Sequence, residues 1–118
     1  MIDLKERTKN FALDTIQLCE KLPNTYLGRH IKGQLIRAST SVAANYRAAK
    51  KSQTKAVFIA KISIVVEESD ESEFWLEIIN EKNLLKNEPI VKKLLLEAHE
   101  LTSIFVKSRM TAQSRIST

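Results

Sequence analysis

One segment of the chain repeats apolar and small residues at alternating spacings of four and three. The repeat runs through Phe58, Ile62, Val65, Ser69, Ser72, Leu76, Ile79 and Asn83. This heptad seam is typical of a long helix that packs at about 20° against its neighbours. It predicts a helix over residues 55–86, about 48 Å long. The whole chain has only two Gly and two Pro, which also favours long uninterrupted helices.

Three further amphipathic segments accompany this helix. We expect them over residues 3–22, over 27–51, and from 89 to about 110. The predicted stop and cap signals are Pro23, Asn24 or Thr25, Ser52 or Thr54, and Asn87. No strand-like alternation is present. The sequence therefore predicts an all-α protein, an up-down-up-down four-helix bundle over residues 1–110, followed by a flexible polar tail over 111–118.

Charge is segregated along the chain. Nine basic and no acidic residues lie between Lys21 and Val66, whereas seven acidic and no basic residues lie between Glu67 and Glu81. Solvated surfaces usually mix the two signs. We therefore expect at least one block to meet a partner of opposite sign, which is another part of the chain, a second copy, or a polyanion. The formal net charge of +5 permits nucleic-acid binding.

The second predicted helix has a uniformly basic face opposite its apolar stripe. We predict that this face contacts nucleic-acid phosphates, with RNA as the favoured ligand and without base-specific contacts. The predicted phosphate-binding residues are Arg29, Lys32, Arg47, Lys50, Lys51 and Lys55. Aromatic residues do not interleave with these charges, so base stacking is not expected. An ordinary solvated helix surface is the alternative interpretation.

The third predicted helix carries a second stripe beside its heptad seam. A bundle helix needs one stripe for its core, so we expect the second to meet another subunit, with Trp and Ile as anchors. The predicted interface residues are Arg37, Lys61, Ile64, Glu68, Glu71, Trp75 and Ile78. The alternative is packing within the same bundle. In either case, buried Glu68 and Glu71 would need a basic partner, for which Arg37 and Lys61 are candidates.

Motifs for catalysis and cofactors are incomplete. The segment Glu67–Glu71 matches the EExxE cluster with which all-α nucleotide pyrophosphohydrolases hold Mg²⁺, but the second acidic pair is absent. Glycine-rich phosphate loops and Glu-x-x-His pairs are also absent, and a single cysteine excludes an internal disulfide. We therefore predict no enzymatic activity, no cofactor and no metal. Without a signal peptide or a membrane-spanning segment, we expect a cytoplasmic protein.

Two stretches resemble a known family. The first is Arg37-Ala-Ser-Thr-Ser-Val-Ala-Ala-Asn-Tyr-Arg47, and the second runs from Phe58-Ile-Ala-Lys-Ile through Glu68-Ser-Asp-Glu-Ser-Glu-Phe-Trp-Leu76. Together they look like the four-helix bundle proteins encoded by intervening sequences within bacterial 23S ribosomal RNA genes. That family is related to the accessory proteins of diversity-generating retroelements.

This resemblance implies a bundle that assembles as a homo-oligomeric ring, commonly a pentamer, with a basic surface for nucleic acid and no known catalytic activity. It also implies roles in assembly and core polarity for Arg37, Asn45, Glu68, Glu71 and Trp75. Many members carry an acidic residue soon after the Asn-Tyr pair, whereas here the segment 47–51 is wholly basic.

Two functions stay open on the sequence alone. The first is non-catalytic nucleic-acid binding by an oligomer, in which multivalency raises avidity. The second is a protein-interaction or structural module, in which the basic face docks on the acidic segment of a neighbouring copy or recruits a protein partner.

Overall fold

The computed structural model describes residues 3–117 as four helices. These are α1 (Leu4–Cys19), α2 (Tyr26–Lys50), α3 (Lys55–Glu81) and α4 (Ile90–Ser117). Each helix packs on the next in chain order, α4 returns to α1, and the rod measures 50 × 23 × 22 Å. None of the residues 3–117 lies in a strand. The predicted all-α, four-helix bundle is confirmed.

Side-chain caps begin the first three helices. The acceptors are Asp3, Thr25 and Thr54, each bonded to a backbone N–H three residues later, which confirms the last two as predicted caps. At the corner between α1 and α2, a Cβ atom on Gly28 would lie 1.9 Å from the Pro23 carbonyl oxygen. Only glycine fits there, so this corner holds the start of α2 tightly against the end of α1.

The connection between α3 and α4 differs from the prediction. Helix α3 ends at Glu81 rather than at residue 86, so its 27 residues span about 40 Å. The helix stops because Asn83 takes a left-handed conformation, with a φ of 51°. Asn87 is also left-handed, with a φ of 59°, and α4 begins at Ile90. Asn83 therefore lies outside the heptad seam to which its spacing assigned it.

The C-terminal segment also differs from the prediction. Residues 111–117, assigned to a flexible tail, continue α4 as helix, and Thr118 lies outside the described residues. The segment packs against the bundle. Ala112 is only 8% exposed and lines a groove together with Phe58 of α3. Two apolar residues, Ala112 and Ile116, among polar ones were too weak a pattern to predict this packing.

The core follows the heptad seam. Its buried members on α3 are Ile62, Val65, Ser69, Ser72, Leu76 and Ile79. At mid-length, Ser69 Oγ lies 2.8 Å from Thr102 Oγ1 of α4, so two small hydroxyl side chains meet where α3 and α4 pack closely. Towards one end, the Tyr46 and Phe105 rings pack together, with 5.2 Å between their centroids. Burying each large apolar side chain contributes roughly 1.5–3 kcal/mol to folding.

Cys19 is a core residue. It is fully buried, and this desolvation raises the pKa of its thiol to about 12. The side chain therefore stays protonated at neutral pH and serves as a small, unreactive packing residue.

Candidate nucleic-acid interface

The antiparallel pairing of α2 with α3 decides which charges face each other. Arg37 on α2 contacts Glu68 and Glu71 on α3. The N-terminal part of α2 therefore lies along the acidic part of α3. The C-terminal part of α2 lies along the N-terminal part of α3, which has no acidic residue. We call residues 26–37 and 67–81 the compensated half of this hairpin.

An ion-pair cluster lies in the compensated half. Arg37 Nη1 is 2.9 Å from Glu68 Oε2, and Arg37 Nη2 donates a hydrogen bond to Glu71. Trp75 Nε1 donates to the same Glu71 carboxylate at 3.2 Å. The hydrogen bond to Glu71 and the charge of Glu68 raise the pKa of Arg37. The basic partner required by these two carboxylates thus comes from the same chain.

The cluster brings together four of the seven predicted interface residues. The other three, Lys61, Ile64 and Ile78, lie along α3 and are partly exposed. Arg37 also keeps 52% of its side chain exposed. The stripe therefore packs against α2 on one side and still reaches the surface of the single chain.

An aromatic row borders this cluster. Ring centroids are 6.4 Å apart for Tyr26 and His30, 5.5 Å for His30 and Trp75, and 5.0 Å for Phe74 and Trp75. Tyr26 is 81% exposed and Phe74 is 51% exposed. The row places apolar rings on the outer surface of α2 and α3 in the compensated half.

Two of the six predicted phosphate-binding residues also lie in the compensated half. Arg29 Nη1 is 3.0 Å from Asn24 Oδ1, and Lys32 Nζ is 3.7 Å from a carboxylate oxygen of Glu20. Arg29 and Arg47 are separated by five helical turns, about 27 Å. The basic face of α2 is therefore divided between two different surroundings.

The other four predicted residues lie at one end of the rod, where α2 ends, α3 begins and α4 ends. We call residues 38–66 and 101–117 the basic end. They contain no acidic residue and eight cationic ones, namely Arg47, Lys50, Lys51, Lys55, Lys61, Lys107, Arg109 and Arg115. Within residues 3–117, none of the four predicted residues forms an ion pair, and all four are exposed.

Sequence reasoning missed the contributions of α1 and α4 to this surface. Lys5 and Lys9 of α1 line a groove together with Arg47 of α2. Lys107 of α4 lines another groove together with Lys55 of α3. These residues are distant in the sequence, so only the packing of the helices reveals that they share one surface.

Two concavities at the basic end share the side chain of Phe58. One, of about 460 Å³, is lined by Tyr46, Lys50 and Lys55 besides Phe58. The other, of about 550 Å³, lies between α3 and α4 and includes Lys55 and Lys107. The sequence order did not suggest base stacking, but the fold places aromatic side chains among the cations.

Two structural findings bear on other functions. Within residues 3–117, no three His, Cys, Asp or Glu side chains are grouped as a metal ion requires. Two carboxylates of the EExxE segment, Glu68 and Glu71, instead pair with Arg37. Among the described helices, none combines the length and apolarity needed to cross a membrane.

Residues 2–107 match the family model described as 23S rRNA-intervening sequence protein. The chain is also similar to a crystal structure of a protein with unknown function from the S23 ribosomal protein family of Bacteroides thetaiotaomicron VPI-5482, with a TM-score of 0.78. The two sequences are 23% identical, and the match covers 91% of this chain and 98% of that chain. At this identity, the likeness establishes a common fold. No curated protein matches the chain.

Proposed function

Because the chain belongs to the 23S rRNA-intervening sequence protein family, we propose that it is a non-catalytic RNA-binding protein whose basic end contacts phosphate groups. One observation carries the proposal. Segments 38–66 and 101–117, which hold eight cationic residues and no acidic one, meet at one end of the rod. The start of α1 adds Lys5 and Lys9 there, and also Asp3, whose charge acts on Tyr46, so cations predominate at this end. A polyanion suits such a surface, because each cation that meets a phosphate releases a condensed counterion.

The proposed contacts come from three helices. They are Arg47, Lys50 and Lys51 at the end of α2, Lys55 at the start of α3, and Lys107 and Arg109 on α4. Arg29 and Lys32 are left out, because they already contact polar groups in the chain. Lys and Arg side chains in this arrangement contact the backbone of a nucleic acid, so we expect binding that tolerates many sequences.

Binding of a fluorescein-labelled, unstructured RNA of about 20 nucleotides, followed by fluorescence anisotropy, tests the proposal. Arg47→Glu combined with Lys50→Glu should weaken binding about tenfold or more. It should also make the slope of log affinity against log salt shallower by about 1.4, because each lost single-strand phosphate contact removes about 0.7.

The matched control is Lys92→Glu combined with Lys93→Glu. These two residues are exposed in the first turn of α4, outside the basic end, and their reversal changes the net charge equally. The control should change the affinity less than threefold, on the order of a net-charge effect alone. An equal loss in both double variants, or wild-type affinity that does not change with salt, would contradict the proposal.

Self-assembly is a second candidate function, and the exposed part of α3 favours it. Ile64 is partly exposed, and Tyr26 and Phe74 of the aromatic row are more than half exposed. Exposed aromatic side chains are common anchors of subunit interfaces, and Ile64 lies on the same helix as Phe74. We propose that this face joins copies of the chain, in the ring, commonly a pentamer, that the family resemblance implies.

Light scattering coupled to size-exclusion chromatography tests the assembly. Ile64→Glu should lower the measured mass to that of one chain. Leu96→Glu, which changes an exposed residue of α4 (59% exposed), should leave the mass unchanged. A wild-type protein that is monomeric would refute this second function. An oligomer that salt dissociates and that binds no RNA would leave assembly as the function in place of RNA binding.

A further inference from the structure

We propose that the basic end prefers single-stranded to duplex RNA, because Phe58 stacks on an unpaired base while the surrounding lysines contact the flanking phosphates. The inference rests on the proposed RNA binding and specifies which form of RNA the same surface takes. It depends on one juxtaposition that the fold creates, an apolar aromatic side chain shared by two concavities with cationic rims.

Phe58 is placed at the tip of the bundle by the geometry of α3. It begins the heptad seam in the first turn of the helix. The next two seam residues, Ile62 and Val65, are fully buried. Phe58 packs against the same core but remains partly exposed. Its ring therefore has a fixed position and still lines open space on two sides.

The surroundings of Phe58 combine apolar and cationic groups. Ile104 and Ala112 of α4 extend the apolar lining on one side, and Tyr46 of α2 extends it on the other. Lys55 lines both concavities, whereas Lys50 lines one and Lys107 the other. Acidic residues are absent from the lining of either concavity. A base entering either one would have cations beside its own phosphates.

This combination distinguishes the two forms of RNA. In a duplex, the faces of the bases are stacked on each other, so the basic end would meet only the phosphates. A single strand also offers the π-face of each base, and every base can stack on an aromatic side chain. The concavities, about 460 and 550 Å³, open directly to solvent, so a strand can enter without a conformational change of the helices.

The experiment compares Phe58→Leu with the wild-type protein on two labelled probes, a 12-nucleotide oligouridine strand and a 12-base-pair RNA duplex. Stacking on one base is worth about 1–3 kcal/mol, so Phe58→Leu should weaken single-strand binding about fivefold to 150-fold. Duplex binding should change less than about twofold, because the lysines are intact.

Two further variants make the result specific. Leu96→Ala shortens an exposed apolar side chain of α4, outside both the basic end and the proposed assembly face, and should leave both affinities unchanged. Phe58→Tyr keeps an aromatic ring and should retain single-strand binding. The thermal unfolding midpoint of each variant shows whether a loss of binding comes from lost stacking or from lost folding.

The outcomes that contradict the stacking inference differ from those that contradict the proposed RNA binding. Equal wild-type affinity for both probes, or a Phe58→Leu variant that binds the single strand as well as the wild type does, overturns the stacking inference and leaves the proposed RNA binding intact. Equal loss on both probes with an unchanged unfolding midpoint also overturns the stacking inference. A wild-type protein that binds neither probe at low salt overturns the proposed function itself.

Discussion

The two ends of the α2–α3 hairpin have similar basic side chains on α2 but different residues opposite them. Arg37 faces Glu68 and Glu71. Lys50 is close to the turn and lines a concavity with Lys55. In an antiparallel hairpin, residues at equal distances from the turn face each other. Whether a cation of α2 is neutralised by α3 therefore depends on its distance from the turn at residues 51–54. The charge composition of the segment 21–66 does not decide this.

The largest expected difference between the two ends is in RNA affinity. Lys55→Glu combined with Lys107→Glu reverses two charges at the basic end. It should weaken RNA binding about thirtyfold, since both phosphate contacts become repulsive. Arg29→Glu combined with Lys32→Glu makes the same change in net charge in the compensated half and should cost less than about threefold. Fluorescence anisotropy at one fixed salt concentration measures both, and equal losses would remove the distinction between the ends.

A smaller effect is expected from removing the compensation itself. Glu68→Gln combined with Glu71→Gln leaves Arg37 without its carboxylates, so we expect RNA affinity to rise about threefold and the salt dependence to become steeper. The unfolding midpoint should fall, because the guanidinium loses its ionic partners. The control is Glu77→Gln combined with Glu81→Gln, two exposed acidic residues whose change raises the net charge equally. If the control gains the same affinity, net charge alone explains the effect.

The smallest effect concerns stability at the two ends of α3. Lys55 is its first residue and Lys82 is its C-cap, so the helix dipole disfavours the first cation and favours the second. Lys55→Gln should raise the thermal unfolding midpoint by about 1 °C, and Lys82→Gln should lower it by about as much. Calorimetry at low salt measures both shifts. Both shifts should nearly vanish at about 1 M salt, where charges are screened. Shifts of the same sign would refute the opposite effects of the helix dipole on Lys55 and Lys82.

The fold could be predicted largely from local patterns. The heptad seam placed α3, and Thr25 and Thr54 marked two helix starts. The family resemblance of α2 and α3 is confirmed by the match over residues 2–107. The end of α3 could not be predicted, because Leu84 and Leu85 pack back on the core. Their burial requires the chain to leave the helix at Asn83, although the spacing continues through that residue.

The candidate site was only partly accessible from the sequence. Rotation around a helix is regular, so the cations of α2 could be grouped on one face from the sequence alone. What lies opposite that face depends on how the helices align, and this separates Arg29 and Lys32 from Arg47 and Lys50. The contributions of Lys107 and Lys5, and the proximity of Phe58 to Lys50, depend on contacts between helices. Periodicity within one helix carries no information on such contacts.

The hydroxyl pair of Ser69 and Thr102 at the centre of the bundle fixes more than local packing. If α3 slid along α4 by one heptad, about 10 Å, Thr102 would lie opposite Ile62 or Leu76 in place of Ser69, and its hydrogen bond to the serine hydroxyl would be lost. The hydrogen bond between Ser69 and Thr102 therefore favours the observed alignment of α3 with α4. That alignment places Lys55 and Phe58 of α3 beside Lys107 of α4, and the three residues line one concavity at the tip of the bundle.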